Sequence, residues 1–292
     1  MPVLRPAPPR REPPTAPGVR TALSSLFSLL IALLALIVAL PGTALAASPT
    51  TGGKRPAHPE RDWLGSTVRR HEPQTGRTPP PSLTASVEGV DVSSHNGNVP
   101  WSTLWNSGNR FAYVKATEGT SYTNPYFAQQ YNGSYDAGMI RGSYHFALPD
   151  NSGGAAQATY FATHGGGWSG DGKTLPGVLD IEYNPYGSVC YGMSAGALRN
   201  WIADFLRTYR ARTGRDAMIY TATGWWKQCT GDYGGFGSVN PLWVPRYGSS
   251  VGELPAGWGF HTVWQYTDTG PTVGDHNRFN GSYSRLQALA DG

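Results

Sequence analysis

From residue 87 to the C-terminus, short apolar runs alternate with polar, glycine-rich stretches, and each run has the length and the β-branched or aromatic content of a strand. The runs at 87–92, 111–116, 139–146, 177–181, 217–221, 242–245 and 262–266, with a short piece near Val273, predict eight strands. Between several of them the apolar period lengthens to that of a helix. The clearest case is 194–212, where Leu198, Trp201, Ile202, Phe205, Leu206 and Tyr209 fall on one face, Ser194 is placed to cap the start and Gly214 to end the helix. Strands alternating with helices predict a parallel sheet, and eight of them in about 205 residues predict its closure into a barrel. The connections 243–262 and 266–273 are too short or too rich in Gly and Pro for full helices. The expected fold is therefore α/β: an irregular, TIM-like (β/α) barrel whose last strands lack regular helices.

The first 86 residues read differently. Arg5, Arg10, Arg11 and Arg20 precede an apolar run over 26–40, followed by Pro41, Gly42 and the small residues Ala44, Ala46 and Ala47, the form of an export signal cut near Ala46. The run approaches the length of a membrane span, but no second apolar segment follows, so a stable anchor is not expected. Residues 47–86 are rich in Pro, Gly, Thr, Arg and Lys and have few apolar side chains to offset the ordering of their backbone, which predicts a disordered linker or pro-segment. Three segments are thus expected: a signal peptide (1–46), the linker (47–86) and a catalytic domain (87–292). The protein is expected to be secreted and extracellular.

Charge sharpens this division. Residues 1–86 hold 10 Lys/Arg and 4 Asp/Glu, leaving 13 and 15 for the rest, so the overall +4 is +6 in the leader and −2 in the domain. A domain of that balance gives no reason to expect a nucleic-acid partner. The two cysteines, Cys190 and Cys229, both lie beyond the export signal, where disulfides persist, and are expected to bond to each other. The seven histidines lack metal-ligand spacing, so neither a metal nor another cofactor is expected.

Chemistry-capable side chains gather at the predicted C-terminal strand ends, where barrel enzymes build their sites: Asp91, Lys115, His145, Asp180, Glu182, Arg246, Gln265 and Asp275. Residues two apart in a strand point to one face, so Asp180 and Glu182 emerge together while Leu179 and Ile181 face the other way. Two carboxylates in a partly dehydrated groove disfavour double ionisation, which leaves one able to hold a proton near neutrality. Cleavage of a glycosidic bond needs such a pair, one carboxyl to protonate the leaving oxygen and one carboxylate to stabilise or attack the sugar cation. Tyr144, Tyr183, Trp243, Tyr247, Trp264 and Tyr266 fall near the same ends and offer aromatic faces for sugar rings.

The segments Gly89-Val90-Asp91-Val92-Ser93-Ser94-His95-Asn96-Gly97, Phe111-Ala112-Tyr113-Val114-Lys115-Ala116-Thr117-Glu118-Gly119, Arg141-Gly142-Ser143-Tyr144-His145-Phe146, Gly177-Val178-Leu179-Asp180-Ile181-Glu182 and Trp264-Gln265-Tyr266 together resemble the glycoside hydrolase family 25 muramidases, the Chalaropsis-type lysozymes. Within that family the chain is similar to the secreted streptomycete N-acetylmuramidases, whose cysteine pair matches Cys190 and Cys229. The resemblance implies Glu182 as general acid/base, Asp180 as the group that stabilises the cationic intermediate, and Asp91 and Asp275 as assisting acids. Tyr144, Tyr183, Trp243, Tyr247, Trp264 and Gln265 are the expected substrate contacts. The implied activity is bacteriolytic: a monomer that hydrolyses the glycan strands of peptidoglycan at the β-1,4 bond after N-acetylmuramic acid, with net retention. Two stretches depart from the family pattern. Pro245-Arg246-Tyr247 stands where relatives tend to carry a small residue, His or Tyr, and an aromatic, and the segment around Asp275 is shorter.

Other readings make distinct demands. A chitinase of the Asp-x-Asp-x-Glu type would need an acid at Val178. A glycan-binding module without catalysis would have no use for all four acids, and the rim residues suggest no Ser/His/Asp or Cys/His set for peptidase chemistry.

Overall fold

The structure, a computed structural model, describes residues 53–74 and 85–292. The export signal expected at 1–46 lies outside the described residues, as do 47–52 and 75–84 of the expected linker. A short helix, α1 (Val68–His71), precedes the barrel. The barrel elements then follow in the order β1 (Val87–Val92), α2 (Trp101–Asn106), β2 (Phe111–Glu118), β3 (Tyr122–Thr123), α3 (Phe127–Asp136), β4 (Ile140–Phe146), α4 (Gly154–Thr163) and β5 (Val178–Asp180). After these come α5 (Ala195–Thr213), β6 (Met218–Tyr220), α6 (Thr223–Thr230), β7 (Leu242–Pro245), β8 (Val263–Thr267), β9 (Asp275–Phe279) and α7 (Tyr283–Asp291).

Eight strands close a barrel in the order β1-β2-β4-β5-β6-β7-β8-β9, with β9 pairing back to β1, and β3 is a short antiparallel addition to β2. The pairings from β1 through β8 are parallel. The eighth strand departs from the parallel sheet expected: β9 runs antiparallel to both neighbours and begins at Asp275 rather than near Val273. The cause is chain length. Residues 268–274 cannot make the crossover of a dozen or more residues that a parallel return requires. No helix separates β7 from β8 or β8 from β9, as the Gly/Pro content of those connections predicted.

Strand alternation sorts the side chains into two layers. Tyr113, Tyr144, Val178, Met218, Tyr220, Trp243, Val263 and Phe279 point inward and fill the barrel, closed at one end by Leu286 and Ala290 of α7. Leu179, Ile219, Leu242 and Val244 point outward beneath α4, α5 and α6, while Val90, Val92, Ala112 and Val114 do so beneath α2 and α3. Helix α5 shows how the local sequence produces this: the Ser194 hydroxyl accepts from the Ala197 amide, Gly214 ends the helix in the left-handed region at φ +75°, and all six residues of the expected apolar face are buried. Burial of each such side chain contributes about 1.5–3 kcal/mol.

Residues 53–74, which composition assigns to a disordered linker or pro-segment, are packed on the strand ends. They carry a 3-10 turn (Pro59–Arg61) and α1, and bury Leu64, Thr67 and Val68.

Candidate active site

The inward register that puts Val178 in the barrel also puts Asp180 and then Glu182 above it, both without exposed surface. Across the barrel, Asp91 on β1 and Asp275 on β9 are directly paired residues. Because β9 is reversed, Asp275 is its first residue and still lies at the rim where the parallel strands end. β-Bulges interrupt the ladders at Lys115/Thr117 and Gln265/Thr267, beside the site, where they re-aim the side chains that follow.

An amide network holds the second pair of acids. The Gln265 amide donates to Asp91 at 3.0 Å and to Asp275 at 3.3 Å, and its oxygen accepts from the phenols of Tyr220 (2.8 Å) and Tyr247 (3.1 Å). Asn277 donates to Asp91 at 2.7 Å and accepts from the Trp243 indole at 2.9 Å. Burial pushes Asp91 up to about 7, with the charge of Glu182 adding to it and the bonds from Asn277 and Gln265 opposing. Asp275 is held well above the carboxylate range by burial and then by Asp91.

Burial likewise raises Asp180 well above its ordinary value, with Glu182 adding and Lys115 opposing. Neither oxygen of Asp180 has a hydrogen-bond partner among the described residues. Glu182 is raised by burial to about 7, against bonds from Thr67 and Gly65 that favour its charge. Those bonds come from the segment before the barrel: the Gly65 amide donates to Oε1 at 2.8 Å, and the Thr67 amide (3.2 Å) and hydroxyl donate to Oε2. Lys115 binds the Pro59 and Asp62 carbonyls and pairs with Glu118 at 2.6 Å.

Of the residues expected to contact substrate, Tyr144, Tyr247 and Gln265 meet at the rim, where each also bonds the backbone of Leu64 or Gly65. Tyr183 lies beside them, its phenol donating to Glu72 and its ring stacked on His71 at 4.2 Å. Trp243 is inside the barrel against Tyr113 and Tyr220. Trp264 is on the outer face of β8, its indole donating to the Arg246 carbonyl. His145 is buried and bonded to Thr117 and Gln157, and burial lowers it to about 3. Cys190 and Cys229 form a disulfide between the loop after β5 and α6. Sequence reasoning passed over Tyr220 and gave Asn277 no role, although each lies two residues along a strand from an inward-facing neighbour, Met218 and Asp275. Tyr186, which donates to Asp62 and to Glu118, carried no signal of its own. No group of three His, Cys, Asp or Glu among the described residues is arranged to hold a metal ion.

A closed βα barrel with four buried acids converging at the strand ends defines a barrel glycosidase. The family model "Glycosyl hydrolases family 25" matches residues 90–275. Lysozyme M1 of Streptomyces globisporus is 45% identical over 283 residues, covering 94% of this chain and 96% of its own, so that alignment reaches well into the segment before the barrel. The N,O-diacetylmuramidase of Chalaropsis sp. is 48% identical over 211 residues, 71% of this chain and all of its own. The crystal structure of a bacterial lysozyme from Streptomyces coelicolor superposes with a TM-score of 0.69 at 50% identity, covering 72% of this chain and 99% of that one. The chain belongs to glycoside hydrolase family 25 and is a glycosidase of the muramidase (lysozyme) type.

Proposed function

We propose that the protein hydrolyses the glycan strands of peptidoglycan at the β-1,4 bond between N-acetylmuramic acid and N-acetylglucosamine, with Glu182 as the acid/base and net retention at the anomeric carbon. The observation that carries this reading is the pairing of Asp180, the last residue of β5, with Glu182 two residues beyond it, both buried, beside a second pair of acids held by amides. A carboxyl raised to about 7 holds a proton at neutral pH and is able to give it to the departing glycosidic oxygen. Asp180, once ionised, supports the positive charge that grows at the anomeric carbon. Its unpartnered oxygens are also free to accept from the N–H of a 2-acetamido group, which would align the acetamido oxygen to attack from the opposite face. Asp91 and Asp275 assist as a second pair, the ionised member of which adds its charge to that of Asp180. Tyr144, Tyr247, Tyr183 and Gln265 line the approach, while Trp243 and Trp264 support the strands behind them.

We further infer that the chain is exported and acts outside the cell as a monomer. The arginine-flanked apolar run at 26–40 and the disulfide support export. No helix among the described residues is long and apolar enough to cross a membrane.

The test is digestion of purified peptidoglycan by the full chain and by a form cut within residues 75–84, with chemical identification of the new reducing ends. Muramic acid ends are expected. Glucosamine ends would overturn the assignment.

A further inference from the structure

Residues 58–72 occupy the groove that the proposed reaction needs open. At their centre, three hydrogen bonds from Gly65 and Thr67 satisfy both oxygens of Glu182, the group that must face the glycosidic oxygen. The Leu64 amide donates to Tyr144 at 3.2 Å and its carbonyl accepts from Gln265 at 2.9 Å, so the backbone takes up the polar groups that line the sugar's path. On one side the Trp63 ring stacks on His95 at 4.4 Å. On the other, Glu72 accepts from Tyr183 at 2.7 Å and from the Gly224 amide at 3.0 Å. Arg69 pairs with Asp268 in the loop between β8 and β9. A cleft of about 310 Å³ remains beside the segment, bounded in part by Trp63, His95, Asp268 and Asp275, and reaches neither Asp180 nor Glu182.

The fit is specific at Gly65. Its φ of +88° is left-handed, and a Cβ there would come within 2.5 Å of Gln265 Oε1, 2.6 Å of the Tyr247 phenol and 2.7 Å of the Tyr220 phenol.

We infer that residues 58–72 are an intramolecular inhibitor, a peptide plug that takes the place of the sugar chain and must be severed or displaced before the enzyme works. The inference rests on the muramidase reading of this groove. A tethered plug acts at a high effective concentration, and a cut between the plug and β1 removes that advantage. Proteolytic activation then needs no rearrangement of the barrel.

The experiment places a site for a sequence-specific protease within residues 75–84 of the full chain and follows release of reducing ends from purified cell walls before and after cutting and dilution. A rise of at least tenfold on cutting is expected. Gly65→Val in the uncut chain should bring its rate to within threefold of the cut enzyme, because the plug can no longer seat while no residue of the barrel is altered. Equal rates for cut and uncut wild-type chains would overturn the inference and leave the muramidase reading standing. Absence of muramic acid ends from both forms would instead remove the muramidase reading, and the inference with it.

Discussion

At the residue scale, Asp180 and Glu182 differ in their partners more than in their burial. Glu182 accepts three hydrogen bonds, all from the segment before β1, whereas Asp180 accepts none among the described residues. Removal of the plug therefore changes the surroundings of Glu182 directly. Replacing Glu182 with Gln keeps the shape but removes the transferable proton. In the cut enzyme it should lower kcat by about 10³-fold, within the range of general acid catalysis, with the thermal midpoint little changed. Wild-type rates of reducing-end release from the variant would sink the assignment. Asp180→Asn should cost about 10²- to 10³-fold through kcat, as loss of charge stabilisation does, and a KM effect alone would argue against that role. The strand register that paired these two acids was legible from Leu179 and Ile181, whose apolar side chains mark the opposite face. Trp243 and Trp264 were not placed as surely, because an aromatic near a strand end reads alike as core and as platform. Inward packing on Tyr113 and Tyr220 places the first, and the outer face of β8 the second.

Among the elements, α5 and β9 contrast. All of α5 follows from local signals, since its cap, its stop and its apolar stripe agree with one another and with the burial observed. Phe205 is fully buried in that stripe, so Phe205→Ala should lower stability by about 3–5 kcal/mol in urea unfolding, and a loss under 1 kcal/mol would mean that the outer layer contributes little. The direction of β9, by contrast, is decided by what the chain between it and β8 can span, which a reading of apolar runs does not weigh. The disulfide ties the loop after β5 to α6 across a sequence separation of 39. Replacing both cysteines by Ser should cost about 4 kcal/mol by the loop-closure relation, measured as a lowered denaturation midpoint.

On the scale of the whole molecule, buried acids and a buried histidine oppose each other in pH-dependent stability. Asp91 and Glu182 rise from ordinary values of 3.8 and 4.5 to about 7, so the folded state binds protons that the unfolded chain has released, and their contribution is lost as pH rises through 7. His145 falls from 6.5 to about 3, so its contribution is complete above 6.5 and is lost as pH falls towards 3. Between 7 and 8 the histidines, His261 and His276 included, are largely neutral in both states, and the acids dominate. The unfolding midpoint of the uncut chain should therefore fall over that interval, and fall less in Asp91→Asn; a rise would contradict the burial of the acids.

The sequence by itself determined the barrel, seven of its eight strands, the helix α5 and the faces on which the acids lie, because those follow from periodicity, capping and side-chain alternation, all of which are local. Only the tertiary structure decided that β9 runs backwards, that Gln265, Asn277 and Tyr220 hold the acids, and that residues 58–72 fill the groove. Composition weighs side chains and assigned that last stretch to a linker for want of apolar ones. Its central hold is made by the backbone amides of Leu64, Gly65 and Thr67 and by the carbonyls of Pro59, Asp62 and Leu64, groups that nearly every residue carries and that no composition reveals.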